Sequence, residues 1–141
     1  MQRARIVLAD DHAGVAEELR FLLDDAFEVV AVVSHGQALV TAATRLAPDA
    51  VVTDISMPGM DGIDAARELL RARPGLGIVF VSVHDDPALA NRALQVGGGY
   101  VLKASAGEEL IEAIQCVLDG TTFISAGLRA PSNPTKPADS R

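Results

Sequence analysis

Five residues of this 141-residue chain have the types that phosphoryl and metal chemistry needs: Asp10, Asp11, Asp54, Ser82 and Lys103. Each comes at or just after the end of a short apolar run: Ile6 to Ala9, Val51-Val52-Thr53, Ile78 to Val81, and Tyr100 to Leu102. Carboxylates brought close together raise one another's pKa by repulsion unless a cation sits among them. A hard divalent cation removes the conflict. Magnesium prefers oxygen ligands, keeps several waters and takes one or two carboxylates plus phosphate oxygens. Asp10, Asp11 and Asp54 therefore read as a magnesium-binding cluster, to which the backbone carbonyl of Ser56 can add an oxygen. One of these carboxylates can also act as a nucleophile and form an aspartyl phosphate. Such transfer depends on positioning and on neutralising the equatorial phosphoryl oxygens. Magnesium can contact one oxygen, the Lys103 ammonium a second and the Ser82 hydroxyl a third. Lysine suits the task as a mobile point charge on a long stem.

Taken singly these residues say little. An acidic pair before a helix is commonly a turn or a cap, Asp54 before Met57-Pro58-Gly59 can be a turn former, and lone Ser or Lys residues are ordinary. Their meaning depends on the elements that hold them. The apolar runs, with Val29 to Val33 as a further one, are short, β-branched and without polar alternation, as in strands buried on both faces of a parallel sheet. Amphipathic stretches separate them, with Leu19, Leu22 and Leu23, then Leu39, Val40 and Ala43, then Ile63, Ala66 and Leu69 at helical spacing. Asp86-Pro87 predicts an N-cap with proline at N1. Gly97 fits the position after a helix end. Ser105 to Glu108 has the capping-box pattern before a helix faced by Leu110, Ile111 and Ile114. Five strands alternating with five helices imply a doubly wound α/β fold, strand order 2-1-3-4-5, with helices on both faces. Ligands of such sheets bind beyond the carboxyl ends of the strands, where all five chemical residues converge.

At this point Asp10-Asp11-His12, the segment Val51 to Gly62, Ser82 and Gly99-Tyr100-Val101-Leu102-Lys103 together resemble the receiver domains of two-component response regulators. The resemblance covers about residues 4 to 124. The details are similar to receivers of nitrate-response and nodulation-type transcription regulators. It implies a flavodoxin-like (CheY-like) fold and two-component phosphorelay signalling. It implies that Asp54 accepts a phosphoryl group from a sensor histidine kinase or a phosphotransfer protein. It implies that Asp10 and Asp11 bind magnesium with a share from Asp54, that Lys103 binds phosphate, and that Ser82 and Tyr100 form a conformational switch. Tyr100 is then expected to point outward at rest and inward once Ser82 moves toward the phosphoryl group. One departure stands out. Where many members have Lys-Pro after strand 5, this chain has Lys103-Ala104.

The remaining features bound the reading. The chain carries 19 Asp and Glu against 12 Lys and Arg, a formal charge of −7. That balance argues against direct nucleic-acid or anionic-membrane binding by this domain. One cysteine, Cys116, excludes an internal disulfide and fits a cytoplasmic protein. No apolar run has membrane-spanning length. The expected organisation is a receiver over residues 1–124 and a flexible Pro/Ser-containing tail or linker stub over 125–141, with Thr121 to Leu128 open to a short terminal element. The expected output is a partner-binding surface of helix 4, strand 5 and helix 5, with a phosphorylation-dependent homodimer as one form. The alternative is a receiver cut from a helix-turn-helix regulator at its linker. No turnover of external substrates is expected. Phosphatases with an aspartate nucleophile carry a second acid two residues on, where this chain has Ser56. His12 and His84 flank the rim, and Cys116 fits core packing.

Overall fold

The computed structural model describes residues 3–128. Its strands are β1 (Arg5–Ala9), β2 (Glu28–Val33), β3 (Ala50–Asp54), β4 (Gly77–Ser82), β5 (Gly99–Leu102) and β6 (Phe123–Ile124). The helices between them are α1 (Ala13–Leu23), α2 (Gly36–Leu46), α3 (Gly62–Ala72), α4 (Pro87–Val96) and α5 (Ala106–Leu118). Short 3-10 turns cover Lys103–Ser105 and Ala126–Leu128. All neighbouring strands pair in parallel, in the order β2-β1-β3-β4-β5-β6. The expected 2-1-3-4-5 order holds for the first five.

The sixth strand corrects the expected count of five. It pairs Gly99 with Phe123 and Tyr100 with Ile124. Two residues are too few to display a period, so composition alone left this stretch open. The structured chain also runs past residue 124: Ser125 is fully buried and a 3-10 turn follows. Residues 129–141 of the expected tail lie outside the described residues.

The sheet is covered on both sides because successive side chains point to opposite faces. Val7, Val51, Ile78, Phe80 and Tyr100 join α2, α3 and α4 in one core layer. Ile6, Leu8, Val52, Val79, Val81 and Val101 join α1 and α5 in the other. That explains the unbroken apolar runs. Each fully buried Val, Leu or Ile contributes roughly 1.5–3 kcal/mol, so neither face of a central strand tolerates a polar residue without a partner.

Helix starts follow the local chemistry in two cases and depart from it in a third. Asp86 caps α4 by accepting from the Ala88 amide at 3.0 Å, with Pro87 in the first turn. Asp61 caps α3 by accepting from the Asp64 amide at 2.8 Å. The capping box expected at Ser105 does not form: a 3-10 turn leads into α5, and the Ser105 side chain makes no cap bond. Gly97 ends α4, but not for the left-handed conformation expected of such a residue. Its φ is −122°, and a Cβ there would meet the Ile78 Cβ at 2.7 Å and the Phe80 ring at 3.0 Å. Close packing of α4's end on β4 is what requires glycine.

Candidate functional site

Three elements deliver the charged groups to one rim. Asp10 leaves β1 with its amide donating to the Val33 carbonyl at 3.0 Å, which ties the turn to β2. Its Oδ1 accepts from the His12 amide at 2.9 Å, so the carboxylate is folded back over the start of α1. Asp54 is the last residue of β3, and its Oδ1 accepts from the Ser56 amide at 3.4 Å. The loop beyond is pinned where the Gly62 amide donates to the Ile55 carbonyl at 2.7 Å. A Cβ at Gly62 would lie 2.0 Å from the Asp54 carbonyl oxygen, so α3 can start this close to the site only at a glycine. Lys103 follows β5, and its ammonium lies 2.9 Å from Asp10 Oδ2 and 3.1 Å from Asp54 Oδ2.

Both carboxylates are buried, and the lysine side chain is only 13 % exposed. Burial alone lowers the Lys103 pKa, but Asp10 and Asp54 outweigh it and hold the ammonium above its ordinary value. One cation between two buried anions leaves a net negative charge. Asp10 Oδ2 has the ammonium as its ion partner but no directed hydrogen bond. Asp10, Asp11, His12 and Asp54 each present a ligand atom, all within 4.8 Å of one another. An under-satisfied buried oxygen within a mainly oxygen donor set fits a hard divalent cation such as magnesium. Asp11 is on the exposed side of the cluster, with its Oδ1 3.1 Å from His12 Nδ1. The contact of His12 with the cluster is more than its position beside the acidic pair indicates in sequence.

Ser82 and Tyr100 meet through one backbone segment. Ser82 ends β4, is fully buried, and its Oγ accepts from the His84 amide at 3.0 Å. The Tyr100 hydroxyl donates to the His84 carbonyl at 2.7 Å. Tyr100 is fully buried, so the outward position expected at rest is not the one adopted here. Its hydroxyl finds a partner inside, which removes the penalty of burying it. Burial is the main cause that holds the Tyr100 pKa above its ordinary value, with Asp86, Asp54 and Asp85 adding to it and Ser82 opposing. Asp54 pairs with Val81 across the β3–β4 ladder, and Ser82 with Leu102 across β4–β5. Ser82 and Lys103 thus come one step beyond the ends of neighbouring ladders. A pocket of about 230 Å³ opens there, lined by Ser82, Val83, Asp85, Leu102, Lys103 and Ala104.

The structure brings Asp10, Asp11, Asp54 and Lys103 into one cluster, with Ser82 and Tyr100 on the adjoining strands. Ser56 takes part through its amide. His84 contributes backbone groups only, and no side-chain pattern could have signalled that.

Residues 6–115 match the response regulator receiver domain family. The chain belongs to that family. It is a receiver domain of two-component systems. It is 36% identical over 124 residues to the response regulator GacA of Pseudomonas viridiflava, and 34% identical over 125 residues to the transcriptional regulatory protein DegU of Brevibacillus brevis. Each match covers 86% of this chain, but 58% and 53% of the relative, so the receiver spans little more than half the length of these curated relatives. Among solved structures, a LuxR-family response regulator from Aurantimonas sp. SI85-9A1 superposes with a TM-score of 0.85 at 32% identity, covering 90% of this chain and 93% of that one. The isolated receiver of RcsB from Salmonella enterica serovar Typhimurium, in the presence of the phosphomimetic BeF3-, gives 0.81 at 28% identity, covering 90% and 96%. Among the described residues, no helix is long and apolar enough to cross a membrane.

Proposed function

We propose that Asp54 is the phosphoacceptor of this receiver. The observation that carries the reading is the buried Lys103 ammonium held against both Asp10 and Asp54. An Asp54 carboxylate oxygen attacks phosphorus, and the bond from phosphorus to the donor breaks. The donor is a phosphohistidine of a sensor kinase or phosphotransfer protein, or a small acyl phosphate. Lys103 then follows the new phosphoryl oxygens, and the Ser82 hydroxyl donates to another. Magnesium, held by Asp10, Asp11, Asp54 and the Ser56 carbonyl, supplies neutralisation of the charge that collects on the transferred group. The protein turns over only its own aspartyl phosphate, because Ser56 offers no second acid for external esters.

Ser82 and Tyr100 form the switch in this reading, through the shared His84 backbone. The output is a changed partner affinity on α4, β5 and α5, in the cytoplasm. A second version has this receiver working as one part of a DNA-binding regulator. It is supported by the greater length of GacA and DegU, and by RcsB neighbours solved in complex with DNA and as dimers on DNA. Phosphorylation-dependent pairing of two receivers belongs to that version. The test is intact-mass measurement after incubation with magnesium and acetyl phosphate. Wild type should gain one phosphate, and Asp54→Ala or magnesium removal should abolish the gain. Equal incorporation by Asp54→Ala would overturn the assignment.

A further inference from the structure

The segment after α5 is fastened to β5 at the residues that adjoin the phosphoryl site. The Ser125 amide donates to the Tyr100 carbonyl at 2.9 Å. The Leu102 amide donates to Ser125 Oγ at 2.9 Å. Ser125 Oγ in turn donates to Glu109 Oε1, and the Ala126 amide donates to Glu109 Oε2 at 3.0 Å. The Leu128 amide closes on the Ser125 carbonyl at 2.9 Å. Ser125 is fully buried, and both its backbone groups and its hydroxyl are engaged. A buried hydroxyl that accepts from one side and donates to a carboxylate on the other has one satisfactory arrangement. There is no slack in it.

Two of these bonds end on residues that matter elsewhere. Tyr100 carries the ring whose hydroxyl binds His84. Leu102 immediately precedes Lys103, whose ammonium touches Asp10 and Asp54. If Asp54 becomes an acyl phosphate, its oxygen is no longer free to hold the ammonium in the present position. Lys103 also opens the 3-10 turn that leads into α5, the helix that carries Glu109. Coupling between the rim and this edge requires that the ammonium's move toward the phosphoryl oxygens shifts this turn enough to loosen the bond from the Leu102 amide to Ser125 Oγ.

We infer that Glu109 and Ser125 are positioning residues that couple the charge state of Asp54 to the chain leaving the domain at residues 126–128. They form a latch, fastened at rest and loosened by phosphorylation. The coupling rests on the phosphoacceptor reading above, but it names different residues and a different readout. It is a two-state element biased by a local electrostatic change.

The experiment is amide hydrogen exchange on the full chain, with and without magnesium and acetyl phosphate, with intact mass measured on the same samples. In phosphorylated wild type the Leu102 and Ala126 amides should exchange about fivefold faster or more, as expected when a protecting hydrogen bond opens. Amides in β1 and β3 should stay protected. Ser125→Ala should still gain one phosphate, but its Leu102 amide, which has lost its acceptor, should be fast before and after, so that the response there disappears. Glu109→Gln keeps one carbonyl acceptor and should give an intermediate response, and it serves alone if Ser125→Ala fails to fold. Phosphorylated wild type with unchanged or slower exchange at Leu102 and Ala126 overturns the coupling while leaving Asp54 as acceptor. An undiminished response in both variants also overturns it. Wild type that gains no phosphate overturns the acceptor reading and the coupling together.

Discussion

Two polar networks flank the end of β5, each built on a buried side chain, and they solve opposite problems. At the rim, Lys103 serves two carboxylates, so anion exceeds cation and Asp10 Oδ2 lacks a directed hydrogen bond. Along the β5–β6 edge, Ser125 and Glu109 give every participating donor an acceptor. The first network is incomplete and can take in a cation and an anion. The second is complete within itself and can only be held or broken. A site that binds must leave something unsatisfied, whereas a site that transmits must leave no slack. Each is built accordingly, with an ammonium among carboxylates in the first, and one carboxylate and one hydroxyl closed onto backbone amides in the second.

The largest effect should come from Lys103→Met, which strikes at the incomplete network. It leaves Asp10 and Asp54 buried without their cation, and removing one partner of a buried pair costs about 3–5 kcal/mol. Thermal unfolding without divalent cations should show that loss. Magnesium should raise the melting temperature of the variant more than that of wild type, because the metal then neutralises carboxylates that have no other cation. An equal magnesium response in both proteins would contradict the placement of the metal beside Lys103. Phosphate incorporation should also fall, by about 100-fold or more, if the ammonium stabilises the transferring group.

Ser125→Ala strikes at the complete network and should cost about 1–2 kcal/mol, since the half-buried Leu102 amide loses its acceptor. Denaturant unfolding measures it. Unlike the rim variant, it should show no extra gain from magnesium. That contrast separates the two networks most directly.

Tyr100→Phe, between the two, should cost about 1 kcal/mol by removing only the hydrogen bond to the His84 carbonyl. A near-native melting curve with altered Val83 and His84 amide shifts is the expected result.

The smallest effect is alkaline. Both Lys103 and Tyr100 have folded-state pKa values raised above their ordinary 10.5 and 10.0. A raised folded pKa contributes stability that is complete below the unfolded value and is lost as pH rises through the folded one. Stability should therefore begin to fall above about pH 10. Lys103→Met should flatten the part of that fall beginning near the lysine value. Parallel alkaline curves for wild type and variant would remove Lys103 from the account.

The rim was far more legible in the sequence than the edge, and the reason is physical. Asp10, Asp54, Ser82 and Lys103 all follow apolar runs that a parallel sheet must bury, so topology fixed their meeting place before any distance was known. The order of the first five strands followed from the same alternation. Tyr100 could be placed on β5, but its burial depends on a backbone carbonyl at His84 that has no sequence signature. The capping box at Ser105 failed because a 3-10 turn from Lys103 takes over the entry to α5. Gly97 read as a helix stop, and only the nearness of Ile78 and Phe80 reveals the actual demand. Ser125 falls at the start of the expected tail because its short stretch, open to a terminal element, carries no period that marks it as buried. Its role depends on Glu109, sixteen residues away on a helix face, in a pairing that no period announces.

The parts of the rim come from positions 10, 54 and 103 of a chain that is made from one end to the other. While a ribosome is still extending the protein, the two acids can emerge and collapse with their strands, yet the neutralising amine has not arrived. β5 must then add itself to the edge of the growing sheet before the rim is whole. The cluster that the proposed acceptor Asp54 needs is therefore whole only once β5 has joined the sheet, which makes it a late product of folding during synthesis.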